Sequence, residues 1–199
     1  MSVHSRTIGN AFATLLLLAI ASGSSIRPAA PQQSSPGVTA GPEVTPRGQR
    51  KASDIHYGEW RKLCLTAGGA KPLCRTSITG SFPTGQMAIR LDLIEREGEP
   101  SARLQLFVPV GLYLQVPVKL KVDEGRSYQV PYNWCLTNVC IAADTADPNI
   151  VAEMEAGKTL ALEVVDSGLL AVTTSLPLSQ FAAAHNSAPA EMLDQDIDE

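Results

Sequence analysis

Four cysteines, Cys64, Cys74, Cys135 and Cys140, are the side chains of this 199-residue sequence with the widest chemical repertoire. As zinc ligands they would be expected in closely spaced C-x-x-C pairs, and a thioredoxin-like redox centre needs the same short spacing. The intervals here are C-x9-C and C-x4-C, which fit neither. An even number of cysteines fits two disulfides if the chain folds in an oxidising compartment. Four cysteines allow three pairings. The spacing favours the local one, Cys64 with Cys74 and Cys135 with Cys140, since each pair sits on a short segment able to double back.

Hydrolytic chemistry has less to work with. A nucleophilic hydrolase needs a base beside its nucleophile, and the histidines are only His4, His56 and His185. His4 falls in the leader, His56 at the edge of the folded body and His185 at the border of the tail. There is no G-x-S-x-G elbow and no S-x-x-K, and no glycine-rich loop leads from a strand into a helix. The reading is therefore not an enzyme, with no cofactor and no metal. A pair of carboxylates meeting in space is the remaining catalytic class, an envelope enzyme acting on glycans or peptides.

The elements that must position these residues begin with an export signal. Met1 to Asn10 is polar with one cation, Arg6. Ala11 to Ala21 is a short apolar run, and small residues follow from Ser22 to Ser25. This is the pattern of a secretory signal peptide, with Ala19-Ile20-Ala21 as the A-x-A site and residues 1–23 as the leader. The run is about half the roughly 20 apolar residues that a membrane span requires. The alternative is an uncleaved anchor holding an accessory subunit on a membrane complex. Losing Arg6 with the leader leaves 15 bases against 20 acids, a net charge of −5. The excess lies in the tail, where Glu191, Asp194, Asp196, Asp198 and Glu199 meet no base. Without a clustered positive face, no nucleic-acid partner is expected.

Residues 24–54 are rich in Pro, Ser, Gln and Gly and read as a disordered linker. Residues 186–199 read as a disordered acidic tail. Between them, 55–185 is one domain with hydrophobic alternation of period two: Met87–Leu93, Leu104–Val108, Val116–Val122, Leu160–Val164 and Leu170–Leu176. Turn residues separate the runs at Glu97–Pro100, Asp123–Gly125 and Asp166–Gly168. The fold class is all-β, an antiparallel β-sandwich, immunoglobulin-like or barrel-like, with one or two short helices. Asp147-Pro148 starts the first helix and Gly157 stands where a left-handed stop belongs. Ser179–Ala184 is the second. The acids of the body fall mostly in turns or on outward strand positions, where a solvated role is expected.

Three apolar features stand apart. Trp60, four residues before Cys64, reads as core packing against that bridge. Tyr132 and Trp134 flank the Cys135–Cys140 interval, a hairpin tip closed by a cross-strand disulfide. Phe107 to Pro117 is apolar almost throughout, yet its prolines and Gly111 forbid a regular inner strand. It is either a buried crossover covering an open end of the core or an exposed patch that docks a protein or a membrane surface. The candidate partner-binding residues are Val110, Leu112, Tyr113, Leu114, Tyr132 and Trp134.

Tyr57-Gly-x-Trp60-x3-Cys64 with Cys74, Pro109-Val110-Gly111-Leu112, Cys135-x4-Cys140-x-Ala142 and Leu176-Pro-Leu-Ser179-x-Phe181 together resemble the invasion-associated locus B family of Gram-negative envelope proteins. The resemblance spans Ile55 to His185. It implies an exported β-sandwich without known catalysis, linked in pathogens to host-cell entry, with its disulfide positions on the four cysteines here. The expectation is a non-catalytic interaction module, in the periplasm or on the outer surface, that binds an envelope or host protein.

Overall fold

The computed structural model describes residues 44–195. The expected signal peptide at 1–23, the expected linker up to residue 43 and the expected tail from 196 lie outside the described residues. Among the described residues, thirteen strands and two helices follow in chain order: β1 Gly48–Lys51, β2 His56–Tyr57, β3 Arg61–Ala67, β4 Leu73–Ser81, β5 Met87–Arg96, β6 Arg103–Pro109, β7 Val118–Val122, β8 Ser127–Val130, β9 Tyr132–Cys135, β10 Val139–Thr145, α1 Pro148–Ala156, β11 Thr159–Val165, β12 Leu170–Pro177, α2 Phe181–Asn186 and β13 Glu191–Gln195. They form two sheets. The smaller has the order β1-β12-β11-β7-β8, and the larger β13-β3-β4-β5-β6-β10-β9 with β2 paired to β4. Neither closes into a barrel, so the fold is a sandwich.

The alternating runs become the central strands, and their apolar residues face the space between the sheets. Leu91, Leu93, Leu104 and Leu106 of the large sheet are essentially inaccessible, as are Leu120, Leu160 and Leu176 of the small one. One inner residue per two positions supplies each layer, which is why period two in the sequence reads directly as core. β7 starts at Val118, later than the alternation from Val116 suggests. Val116 instead donates to the Tyr113 carbonyl in a turn, and Pro117 has no N–H for the ladder.

Turns behave as their chemistry demands. Asp166 Oδ1 accepts from the Gly168 and Leu170 amides, stitching the β11–β12 connection. Asp123 accepts from the Lys158 and Thr159 amides and so ties the β7–β8 turn to the start of β11; those bonds hold its carboxyl below the usual range.

The helices close one end of the core. Asp147 caps α1 by accepting from the Asn149 amide, with Pro148 at the first helical position. Gly157 corrects the expected left-handed stop: it is extended, with φ −82° and ψ 172°. A Cβ there would collide with the Val122 side chain and the Glu153 carbonyl, so close approach rather than a positive φ selects glycine. α2 begins at Phe181, two residues later than expected. Phe181 meets Trp60 edge-on with ring centroids 4.8 Å apart, and Trp60 Nε1 donates to the Pro177 carbonyl at 2.7 Å. Trp60 is a core residue.

Two strands fall where disorder was expected. β1 lies within the 24–54 linker and pairs in parallel with β12, Gly48 opposite Leu170 through Lys51 opposite Thr173. β13 lies within the 186–199 tail and pairs in parallel with β3, Glu191 opposite Leu63 through Gln195 opposite Ala67. Both cover sheet edges, where backbone amides and carbonyls of the adjoining strand supply the bonds and no apolar alternation is needed. A composition-based reading misses such strands for that reason.

Candidate functional site

The site grows from the β9–β10 hairpin. Cys135 and Cys140 stand directly opposite each other and are joined, as are Cys64 and Cys74 in the β3–β4 hairpin. The local pairing is therefore the one adopted. Leu136 to Asn138 make the tip, with the Leu136 amide donating to the Val139 carbonyl at 2.7 Å.

A bulge then separates the two aromatic candidates. Trp134 pairs with Ile141, but Tyr132 pairs with the next residue, Ala142, so two steps on β9 match one on β10. In a regular strand residues two apart share a face. Here Trp134 stays on the outer face, 47 % exposed, while Tyr132 packs against the core. Its hydroxyl is buried, has no hydrogen-bond partner among the described residues, and burial pushes it well above the usual phenol range. Tyr132 is thus partly buried and leans toward the core rather than projecting with Trp134.

Register extends the outer face across the large sheet. Trp134 lies opposite Ile141, Ile141 opposite Phe107, and Phe107 opposite Arg90. Adjacent strands are about 4.8 Å apart, so the four residues form one continuous row. Ile141, though on this outer face, is only 4 % exposed between its aromatic neighbours. The Arg90 guanidinium sits 5.0 Å from the Phe107 ring centroid and forks onto Asp92, Nε to Oδ1 at 2.8 Å and Nη2 to Oδ2 at 2.6 Å. Asp92 is 1 % exposed, which corrects the solvated role expected of an outward strand acid. Arg90 and, at 4.0 Å, Arg75 neutralise it there. The result is an aromatic and cationic row anchored by an ion pair on the same face of the sheet.

The Phe107–Pro117 segment carries the chain from the large sheet to the small one, as a crossover. Pro109 pairs with Val139, so Val110 emerges at the same end of the sheet as the hairpin tip. Val110 is 47 % exposed and Leu136 58 %. Gly111, with φ 91°, then turns the chain, and its carbonyl accepts from Ser167. Leu112 packs inward against the core and bridges Asp166. Tyr113 is half-buried, its amide donating to the Val165 carbonyl and its hydroxyl to Gln115. Leu114 is exposed on the small-sheet side of the crossover. The candidates thus divide. Val110 and Trp134 share one end of the large sheet; Leu112 and Tyr132 are turned inward; Tyr113 and Leu114 lie toward the small sheet.

Phe107, Arg90 and Leu136 complete the face; Phe107 opened the apolar segment marked in the sequence, but none of the three was among the candidate partner-binding residues. Leu136 was findable, as a large apolar side chain between two bridged cysteines. Arg90 and Phe107 were not, because only strand register brings them beside Trp134.

Among the described residues, a dense titratable cluster lies elsewhere. His185 on α2 contacts Glu155 of α1 and Glu95 of β5, each at 2.8 Å, and stacks on Phe181. Lys62 Nζ donates to the His185 carbonyl, so this cluster pins α2 to the large sheet. The His185 bond keeps the Glu155 carboxyl below its usual range.

Among curated proteins no match to the chain is found. The solved structures include a relative, the crystal structure of invasion associated protein B from Bartonella henselae, 26 % identical with a TM-score of 0.58; the match covers 66 % of this chain and 90 % of that one. The family model described as invasion associated locus B (IalB) protein matches residues 60–189, a span that takes in both disulfide hairpins, the crossover and both helices. The chain belongs to the invasion associated locus B family.

Proposed function

We propose that this chain is an exported, non-catalytic interaction module of a Gram-negative envelope that docks an envelope or host protein on the outer face of its large sheet. The observation that carries the reading is the exposed pair Trp134 and Leu136 on the β9–β10 hairpin, with exposed Val110 at the same end of the sheet, beside the Phe107–Arg90 pair fixed on buried Asp92. Binding energy in protein interfaces concentrates on tryptophan, tyrosine and arginine. Groups already held in one geometry lose little freedom on association. Two disulfides support export, since such bonds persist in oxidising compartments. Family membership supports the envelope and the link to invasion.

A photoreactive residue placed at position 134 in the native organism tests the reading. It should crosslink one partner in stoichiometric amount, whereas the same residue at exposed Ser175 of the small sheet should not. A chain that stays uncrosslinked at 134, or crosslinks equally from both positions, overturns the proposal.

A further inference from the structure

The two sheets part company at the end where the crossover leaves β6. A cavity of about 320 Å³ opens there between them. Its walls are Ile89 and Val108 of the large sheet, Leu162, Val164 and Val172 of the small sheet, and Leu112 of the crossover. All six are apolar, and they come from the faces that elsewhere interlock as core. The volume is at the lower limit of ordinary ligand pockets, which begin near 300 Å³. That suits one slim chain rather than a ring system or a two-chain lipid.

Polarity enters at the mouth. The parallel pairing of β1 sets Arg50 opposite Val172, and so on the same face of the sheet as that cavity wall. Arg50 has a 57 % exposed side chain and one ion pair, 3.4 Å from Nη2 to Asp166 Oδ2. The other oxygen of Asp166 is occupied by the turn amides of Gly168 and Leu170. A guanidinium with donors to spare thus stands over an apolar slot. Thr174, also in the lining, already shares its hydroxyl with Tyr57. Lys51, Ser53 and Thr173 line the rim as well, but Lys51 pairs with Thr173 and so its side chain belongs to the opposite face of the strand from Arg50, which leaves Arg50 as the cation over the slot.

We infer that this cavity binds a single-chain amphiphile, with the alkyl tail between the sheets and an anionic head, carboxylate or phosphate, on Arg50. Charge complementarity selects the head and cavity width selects the single tail. The site is separate from the protein-docking face, and its occupancy does not depend on that reading.

Calorimetric titration of the full oxidised chain with dodecanoate, dodecyl phosphate and neutral dodecanol, each below its aggregation threshold, is the test. At least one of the anions should bind saturably, one per chain, and the tighter of them distinguishes a free fatty acid from a phospholipid product. Arg50→Gln should weaken the anionic probes about tenfold, as the loss of a charge-assisted hydrogen bond does, and leave dodecanol unchanged. Val172→Phe should fill the slot and abolish binding of all three. Should that variant not fold, paramagnetic broadening of the Leu162 and Val164 methyl signals by a doxyl-labelled fatty acid in the unaltered chain decides the same point. Absence of saturable binding by either anion, insensitivity to Arg50→Gln, or loss of binding in Trp134→Ala, which would signal adsorption to the outer face, each overturns the inference.

Discussion

The two disulfide hairpins use one covalent device in opposite surroundings. Cys64–Cys74 joins β3 to β4 inside the large sheet, with β13 on one side and β5 on the other, and Cys64 is 3 % exposed. Cys135–Cys140 joins β9 to β10 at the open edge, where Cys135 is exposed and Trp134 and Leu136 project beside it. In the first hairpin the bridge reinforces strands that packing already holds. In the second it shapes a short tip that has little packing of its own and presents apolar side chains outward. The contrast teaches that a disulfide in this fold marks a hairpin, and that the neighbouring strands decide whether the hairpin serves the core or the surface.

The contrast can be broken first at the core that supports the inner hairpin. Phe181→Ala removes the partner of Trp60 and should cost about 3–5 kcal/mol, read as a lower urea midpoint. A loss below 1 kcal/mol would show that the helices do not brace β3 and β4.

The bridges themselves come next. Loop closure alone gives nearly equal stabilisation, about 2.8 kcal/mol for the separation of 10 and about 2.2 kcal/mol for the separation of 5. Replacing both cysteines by alanine at the inner bridge should exceed the outer replacement by more than that small difference, because Cys64 and Cys140 are equally buried at 3 % while Cys74 is partly buried where Cys135 is exposed. Equal losses in denaturant unfolding would erase the distinction between the hairpins.

A smaller effect concerns pH. Glu155 is held below the ordinary glutamate range by His185, so over that interval the unfolded chain binds more protons than the folded one. Its contribution to stability is present above the ordinary glutamate value and is lost as pH falls through the depressed one. Glu155→Gln should flatten this part of the acid limb, measured as melting temperature against pH. An unchanged limb would mean that the carboxylate is not coupled to folding.

Last, Trp134→Ala with Leu136→Ala should leave stability within about 0.5 kcal/mol, as exposed positions do, while abolishing the crosslink from a photoreactive residue at position 110, at the same end of the sheet. A large loss of stability would make the outer hairpin structural as well.

Much of the architecture was legible in the residues. Period two in the runs of β5, β6, β7, β11 and β12, with Asp and Gly between them, announces a half-buried antiparallel sheet, because a one-residue slip would turn each apolar set to water. The even cysteine count, the local bridges and the Asp147-Pro148 helix start are similarly local statements. β1 and β13 were illegible, since edge strands are recruited by the backbone of β12 and β3 rather than by their own side chains. The candidate face was half legible. Val110 and Trp134 are marked by apolar character in turn-rich segments, but nothing in that character says that Tyr132 turns inward.

By itself, then, the chain of residues determined the strand periodicity and the bridge-bearing hairpins, because each depends on neighbours a few positions away. Only the tertiary structure decided that a bulge opposite Ile141 and Ala142 sends Tyr132 and Trp134 to opposite faces, that Arg90 lies over Phe107, and that Asp92 is buried. Those outcomes follow from register between strands distant in sequence, and register is set by the packing of the whole sheet rather than by any one strand's composition.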